Sequence, residues 1–254
     1  PAISSATTSD ADANGQIDRV TILFDKNVDI VDGAAGDGFP QIAVAGYTVA
    51  NADYAAANTN TLVLTLTESG GADSDAVPNV TFTNDGDVTD TSTNADAADY
   101  GATAATDGAG PAIISAVTVT TTTVAVTFSE NVSDASLVAG DFTFSAFTTG
   151  GANAAASSLS TGTANDDVVT LTLASEIGPD ETGAVAFTGA GVGDDGSANS
   201  NTQTAAITVT DGIGTVPVIS SATTSDADAD GQIDRVTILF DKNVDIVDGA
   251  AGDG

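Results

Sequence analysis

Residues 217–254 repeat residues 1–38 at all but two positions. The two exceptions are Ala2 against Val218 and Asn14 against Asp230. A stretch in which 36 of 38 residues recur at a spacing of 216 residues is typical of tandem repeat proteins. We therefore expect the chain to be part of a longer array, and we expect the second copy to follow the same strand, loop and strand path as the first.

A weaker repeat divides the 216-residue unit itself. The start PAISSA at residues 1–6 returns as PAIISA at residues 111–116, and VTILFDKNV at residues 20–28 returns as VAVTFSENV at residues 124–132. These paired segments indicate two diverged copies of one domain. We predict domains over residues 1–110 and 111–216, with residues 217–254 as the start of the next repeat copy.

Short segments of alternating apolar and polar residues predict strands along the whole chain. Val20, Ile22 and Phe24 alternate with polar or outward neighbours, and Gly, Asn and Asp clusters between such segments are turn signals. No segment has a helical period. About seven short strands in roughly 105 residues is the pattern of an immunoglobulin-like sandwich. We predict an all-β fold of tandem immunoglobulin-like β-sandwiches in an end-to-end array, in which residues 85–107 form a long loop or a loop with one edge strand.

Composition excludes several kinds of chemistry. The chain lacks Cys, Met, Trp and His, which removes disulfides, thiol nucleophiles, imidazole bases and the usual zinc and haem ligands. Thirty-six acids against four bases give a formal charge of −32. Such a charge repels nucleic acid and anionic lipid and attracts divalent cations. We expect no nucleic-acid partner and no membrane insertion within this segment. The alternative is that the charge only keeps a halophilic protein soluble at molar salt, where the Debye length is about 3 Å.

Catalysis has little support in the sequence. Paired carboxylates perform acid–base chemistry without histidine, but they do so in a cleft that aromatic side chains usually line. The chain has three Tyr and nine Phe, and most of the Phe lie in predicted strands. We therefore expect a protein that is not an enzyme, and we assign no catalytic residues.

The repeated stretch contains an oxygen-rich loop that points to calcium. In DADANGQID, residues 10–18, an oxygen-bearing side chain stands at every second position around a glycine turn. This spacing matches positions 1, 3, 5, 7 and 9 of a calcium loop, with Gln16 contributing its backbone carbonyl and Gly15 the turn. The predicted calcium ligands are Asp10, Asp12, Asn14, Gln16 and Asp18, and in the second copy Asp226, Asp228, Asp230, Gln232 and Asp234.

The match to a calcium loop is incomplete, which leaves alternatives open. An EF-hand has a bidentate Glu at position 12, and here that position is Thr21. A further ligand must come from elsewhere, with Asp29, Asp32, Asp37 and Asp107 as candidates. Other acidic groups are candidates for ions at domain junctions: Asp194, Asp195, Asn199 and Asp211, and Asp85, Asp87 and Asp90. For each of them the competing interpretation is a solvated acidic loop.

The Pro-x-Ile start, the VTFSENV motif at residues 126–132 and DDGSAN at residues 194–199 resemble the bacterial and archaeal Ig-like tandem-repeat domains of surface-layer, adhesin and extracellular fibre proteins. The Cys and Trp of antibody domains are missing. The resemblance implies an extracellular, cell-surface stalk, fibre or lattice, often stiffened by calcium, whose partners are other copies of itself. Two alternatives stay open, namely an extender region of a cell-surface adhesin and a non-catalytic spacer of a secreted hydrolase.

Overall fold

A computed structural model describes residues 1–30, 39, 41–53, 59–68, 70–187, 191–197, 199–242 and 244. The chain divides into two compact units, Pro1–Gly212 and Ile213–Gly254. The described residues form strands and a few short 3-10 turns, and they contain no helix with the length and apolarity needed to cross a membrane. The all-β prediction is confirmed.

The first half of the first unit, residues 1–110, contains eight strands among its described residues. They form a sheet of order β1-β2-β5-β4, with β7 also paired to β2, and a second sheet of order β3-β6-β8. The strands are β1 (Ile3–Ser9), β2 (Arg19–Ile30), β3 (Ile42–Val44), β4 (Thr48–Asp53), β5 (Thr59–Thr67), β6 (Asn79–Phe82), β7 (Val88–Asp90) and β8 (Tyr100–Ala104).

The two sheets of the first half pack face to face around one apolar core. Val20, Ile22 and Phe24 are fully buried, as their alternation along β2 predicts. From the opposite sheet, Phe82 meets Phe24 edge to face, with ring centroids 6.4 Å apart. This half is therefore a β-sandwich.

The second half, residues 111–212, forms one continuous sheet of order β11-β14-β15-β9-β10-β13-β12. Its strands are β9 (Ile113–Thr120), β10 (Thr123–Phe128), β11 (Phe142–Ser145), β12 (Ser158–Thr161), β13 (Val168–Thr172), β14 (Gly183–Phe187) and β15 (Ile207–Thr210). Phe142 of β11 contacts Phe128 of β10, with centroids 6.3 Å apart, although the two strands are far apart in the sheet order. The sheet therefore folds over and encloses a second core.

Both halves close in the same way, by a short parallel pairing next to an Asp-Gly pair. In the first half Thr7 bridges Thr106 in parallel, and the Gly108 N–H donates to the buried Thr8 hydroxyl at 3.3 Å. In the second half β15 pairs in parallel with β9, and the Gly212 N–H donates to the buried Thr118 hydroxyl at 2.8 Å. No described strand of one half pairs with a strand of the other.

The second unit repeats the first hairpin. Strands β16 (Ile219–Ser225) and β17 (Arg235–Phe240) pair in the register of β1 and β2 displaced by 216 residues, for example Ser221 with Leu239. The expected strand, loop and strand path is therefore present, while residues 245–254 lie outside the described residues. Its apolar side chains are exposed, including Ile219, Val236, Ile238 and Leu239. A two-stranded hairpin with an exposed apolar face is marginally stable at best in water.

Candidate metal centres

The Asp10–Asp18 loop joins β1 to β2 and is held by its own carboxylates. Asp10 accepts hydrogen bonds from the N–H groups of Gly15 at 2.7 Å and of Asn14 at 3.3 Å, and Asp12 accepts one from the same Asn14 N–H at 3.2 Å. Asp18 closes the loop by accepting from the Ala11 N–H at 3.0 Å. Gly15 has a φ of 93°, which favours glycine at the turn. These local hydrogen bonds fix the loop, but they do not bring the carboxylate oxygens of Asp10, Asp12 and Asp18 within 4.8 Å of one another.

The segment after β5 lies beside this loop and supplies acids that the sequence pattern did not indicate. Glu68 accepts from the Asn14 amide at 2.9 Å, and the Gln16 amide oxygen accepts from the Gly70 N–H at 2.7 Å. Asp73 accepts from the Ile17 N–H at 2.8 Å and from the Tyr47 hydroxyl at 2.6 Å. Glu68 and Asp73 are therefore acids beside the loop from which a further ligand could come.

Two of the four further ligands proposed from the sequence are described, and both belong to other parts of the fold. Asp29 is on β2, opposite Thr89 of β7, and Asp107 belongs to a separate cluster described below. Asp32 and Asp37 lie outside the described residues.

The loop packs directly against the second half of the first unit. A methyl group placed on Gly15 would lie 2.8 Å from Cβ of Ser129 and 2.9 Å from Cγ2 of Ile114, so only a glycine fits there. The Ser74 and Ser129 hydroxyls hydrogen-bond at 2.6 Å across the same contact. The conformation of this loop is therefore coupled to the contact between the two halves.

The copy of the loop in the second unit has the same internal hydrogen bonds in an exposed setting. Asp226 accepts from the Gly231 N–H at 2.8 Å, and carboxylate oxygens of Asp226, Asp228 and Asp234 lie within 4.8 Å of one another. Asp230 accepts from the Gln232 N–H at 2.8 Å. The two copies differ in electrostatics: burial raises the pKa of Asp10, whereas the Gly231 N–H lowers the pKa of Asp226.

Both copies suit a hard cation in chemical terms. They offer only carboxylate, amide and carbonyl oxygens, which are the ligands that calcium prefers. Oxygens of Asp10, Asp12 and Asp18 accept hydrogen bonds from N–H groups of the loop itself. Calcium binding at these loops stays a prediction.

A second group of carboxylates lies at the contact between the halves. Asp107 follows the bridge between Thr7 and Thr106, Glu130 follows β10, and Asp194 forms a bridge with Val132. Oxygens of these three acids lie within 4.8 Å of one another. They face a cavity of about 510 Å³ whose lining includes six acids, namely Asp75, Asp107, Glu130, Asp167, Asp194 and Asp195.

Two members of this cluster are well supplied with hydrogen-bond donors. Asp107 accepts from the Ser197 hydroxyl at 2.7 Å, the Asn199 amide at 3.2 Å and the Ala109 N–H at 3.1 Å. Asp194 accepts from the N–H groups of Gly196 at 2.6 Å and Ser197 at 2.8 Å. Burial raises the pKa of Asp107, whereas in Asp194 burial is outweighed by the N–H groups of Gly196 and Ser197, which lower the pKa.

Glu130 differs from both neighbours. Its side chain is 5% exposed, and neither carboxylate oxygen has a hydrogen-bond partner among the described residues. Burial raises its pKa to about 8, with a further rise from the charges of Asp194 and Asp107 and a partial offset from the nearby Ser74 hydroxyl, whose hydrogen-bond partner is Ser129. Sequence reasoning missed Glu130 as a site residue. The available signal was its place in the internal repeat, where an acid stands in the position of Lys26.

The remaining junction candidates have local partners. Asp195 lines the cavity, and Asp211 accepts from the Thr118 hydroxyl at 3.2 Å. Asp85 and Asp87 both accept from the Gln41 amide. Asp90 caps the turn at Ser92, accepting from its hydroxyl at 2.6 Å, and forms an ion pair with Lys26 at 3.7 Å.

Known proteins show little likeness to this chain. No protein-family model matches it, and no curated protein matches it. One similar solved structure is FdeC, a broadly conserved Escherichia coli adhesin, at 16% identity and a TM-score of 0.24 over 81% of this chain and 63% of that one. Another is the Bacteroides ovatus protein SGBP-B in complex with a mixed-linkage heptasaccharide, at 11% identity and a TM-score of 0.21 over 89% and 50%. The chain spans less than two thirds of either protein, and likeness this low carries no argument about function.

Proposed function

We propose that the chain is a structural repeat unit of an extracellular fibre, stalk or surface layer, and that calcium bound in the Asp10–Asp18 loop and its copy stiffens it. The near-identity of residues 1–38 and 217–254 supports a structural role, because an array reuses one unit, whereas recognition and catalysis rarely need many copies of one face. The partners in this proposal are other copies of the same chain at the cell surface.

The packing of the loop against the second half is the observation that carries the proposal. Gly15 touches Ser129 and Ile114, and Ser74 hydrogen-bonds to Ser129 beside it. An ion that holds the loop in one conformation would therefore also hold the surface on which the next domain rests. That is how a loop ion would limit bending between neighbouring domains.

The charge of the chain gives calcium a second role. With a net charge of −32, neighbouring loops and domains repel one another in the absence of cations. Divalent ions bound in the loops neutralise this repulsion locally. A ligand that binds only the folded state adds about 2.7 kcal/mol at a hundredfold excess over its Kd, out of a typical total of about 5–15 kcal/mol.

Calcium is expected to raise the thermal unfolding midpoint of the wild-type protein by about 5–10 °C, the shift that such a free energy produces in a unit of this size. The measurement compares unfolding in EDTA and in millimolar calcium chloride. Sodium chloride is held at one high concentration in both, because salt alone screens repulsion between surface charges.

The matched variant is Asp12→Ala with Asp18→Ala, which removes two loop carboxylates. Its midpoint should rise less with calcium than the wild-type midpoint does. Equal shifts in the two proteins would mean that the loop is a solvated turn and that the charge serves only solubility at high salt.

Immunogold labelling of cells with an antibody against this chain separates the structural role from the alternatives. Labelling along filaments or over a continuous layer supports the proposal. Labelling as isolated points at the cell surface favours an adhesin extender, and antigen found with hydrolase activity in the culture medium favours a spacer of a secreted hydrolase.

A further inference from the structure

Glu130 is a buried carboxylate whose charge is not balanced by any described residue of the chain. A carboxylate that is 95% buried requires a hydrogen bond or an opposite charge, and both Glu130 oxygens lack a partner among the described residues. Two more carboxylates, Asp107 and Asp194, have oxygens within 4.8 Å of this group. Two acids therefore converge on a third, buried carboxylate that has no hydrogen bond of its own.

A protein cation is not available to balance these charges. The four bases of the chain are Arg19, Lys26, Arg235 and Lys242, so residues 39–216 contain none. Lys26 is paired with Asp90, and the lining of the cavity includes no base. The charge of Glu130 is therefore neutralised from solution, either by a proton or by a bound cation.

The arrangement of the oxygens fits a single ion. Two oxygens that bind one calcium ion at about 2.4 Å each can be at most about 4.8 Å apart, and the oxygens of the three acids lie within that distance. Carboxylates alone favour a hard cation such as calcium over zinc, which takes nitrogen and sulfur ligands. The adjoining cavity of about 510 Å³ has room for the waters that would complete a shell of six to eight oxygens.

We propose that Asp107, Glu130 and Asp194 bind a divalent cation of the calcium type at the contact between residues 1–110 and 111–212. This site goes beyond the function proposed above, because it uses none of the Asp10–Asp18 ligands. The proposed ion site does not depend on the chain forming a fibre.

The ion would join the two halves of the unit directly. Asp107 belongs to the first half, whereas Glu130 and Asp194 belong to the second. Ser197 and Asn199 of the second half already donate hydrogen bonds to Asp107 across the same contact. The ion would add a bridge from the first half to a carboxylate that is otherwise unpaired.

Calcium binding to the intact chain tests the site, by isothermal titration after EDTA treatment and at one fixed sodium chloride concentration. Glu130→Gln keeps the shape of the side chain and removes the charge. It is expected to lower the number of bound calcium ions by one per chain, or to weaken that site by at least about 100-fold, since even partners outside the ligand shell contribute 10–100-fold. Asp194→Asn should have the same effect.

Asp167→Asn is the matched control, because Asp167 lines the same cavity but is not one of the three converging acids. It should leave the site within about threefold of wild type, as expected for the loss of one screened charge. The loop variant Asp12→Ala with Asp18→Ala should retain the ion that depends on Glu130, which separates this proposal from the calcium loop. Equal weakening by Glu130→Gln and Asp167→Asn, or full retention of the ion in Glu130→Gln, would overturn the proposal.

Discussion

In EDTA at pH 9, Glu130→Gln is expected to be more stable than the wild-type protein, with a free energy of unfolding higher by about 3 kcal/mol. Burial raises the pKa of Glu130 to about 8 in the folded state, above 4.5 in the absence of such burial. At about 1.4 kcal/mol per pH unit this difference sets an upper limit near 5 kcal/mol, and water in the open cavity screens part of it. Glutamine keeps the volume and has no charge to bury.

The gain from the substitution should depend on pH in a defined direction. Below about pH 4.5 the Glu130 carboxyl is protonated in both the folded and the unfolded wild-type protein, so the two proteins should be about equally stable. Between pH 4.5 and 8 the folded protein holds a proton that the unfolded chain has released, and wild-type stability falls as the pH rises. Above pH 8 the loss is complete. Asp194, Asp107 and Asp75 are the charged groups that face Glu130, and their charges raise its pKa further.

Urea unfolding at pH 5, 7 and 9, with salt fixed and calcium chelated, measures this difference. Asp167→Asn serves as the control, because Asp167 lines the same cavity but is not one of the acids whose charges raise the pKa of Glu130. Its stability should stay within about 0.5 kcal/mol of wild type. A Glu130→Gln protein less stable than wild type at pH 9, or an advantage that is the same at pH 5 and pH 9, would contradict the expectation.

Gly110→Ala is expected to lower the free energy of unfolding by about 3 kcal/mol, at the upper end of what overpacking costs. A methyl group on Gly110 would lie 2.3 Å from the carbonyl oxygen of Ser200 and 2.6 Å from its carbonyl carbon. Both are backbone atoms, so no side-chain rotation relieves the clash.

The Ser200 segment is held in place from two sides, so it is not free to move away. Ser200 bridges Gly193, and the side chain of Gln203 exchanges two hydrogen bonds with the backbone of Ile113, at 2.9 and 3.0 Å. Gly110 lies in the connection between the halves, and its close approach to Ser200 brings that connection against the second half.

The effect of the added methyl group is measured by chemical unfolding of Gly110→Ala, with Gly140→Ala as the control. Gly140 lies in a 3-10 turn, and a methyl group there meets nothing within 4 Å. The control should unfold within about 0.5 kcal/mol of wild type. Comparable stability of Gly110→Ala and Gly140→Ala would mean that the connection is not tightly packed.

The strands that the sequence predicted are those with one apolar face. β2, β5, β10 and β13 alternate cleanly because each has one face in a core and neighbours on both sides. In contrast, β4 and β12 lie at the ends of their sheets, and each has only one apolar residue larger than alanine. Residues 85–107, predicted as a long loop or a loop with one edge strand, instead contain two short strands, β7 and β8. Edge strands leave little hydrophobic periodicity, because a side of each strand faces water.

Comparison of the chain with itself was enough to establish the repeat. Residue type and short-range spacing were enough for the all-β class, the position of the acidic loop and the exclusion of thiol and imidazole chemistry. Only the folded chain shows that Glu68 and Asp73 lie beside the loop, that Gly15 packs on Ser129, and that Asp107, Glu130 and Asp194 meet. These contacts join residues far apart in sequence, and their positions follow from how the sheets pack, which no local pattern records. Whether an acidic residue is a solvated loop side chain or a buried, unpaired charge is likewise a property of its surroundings, as Glu130 at the position of Lys26 demonstrates.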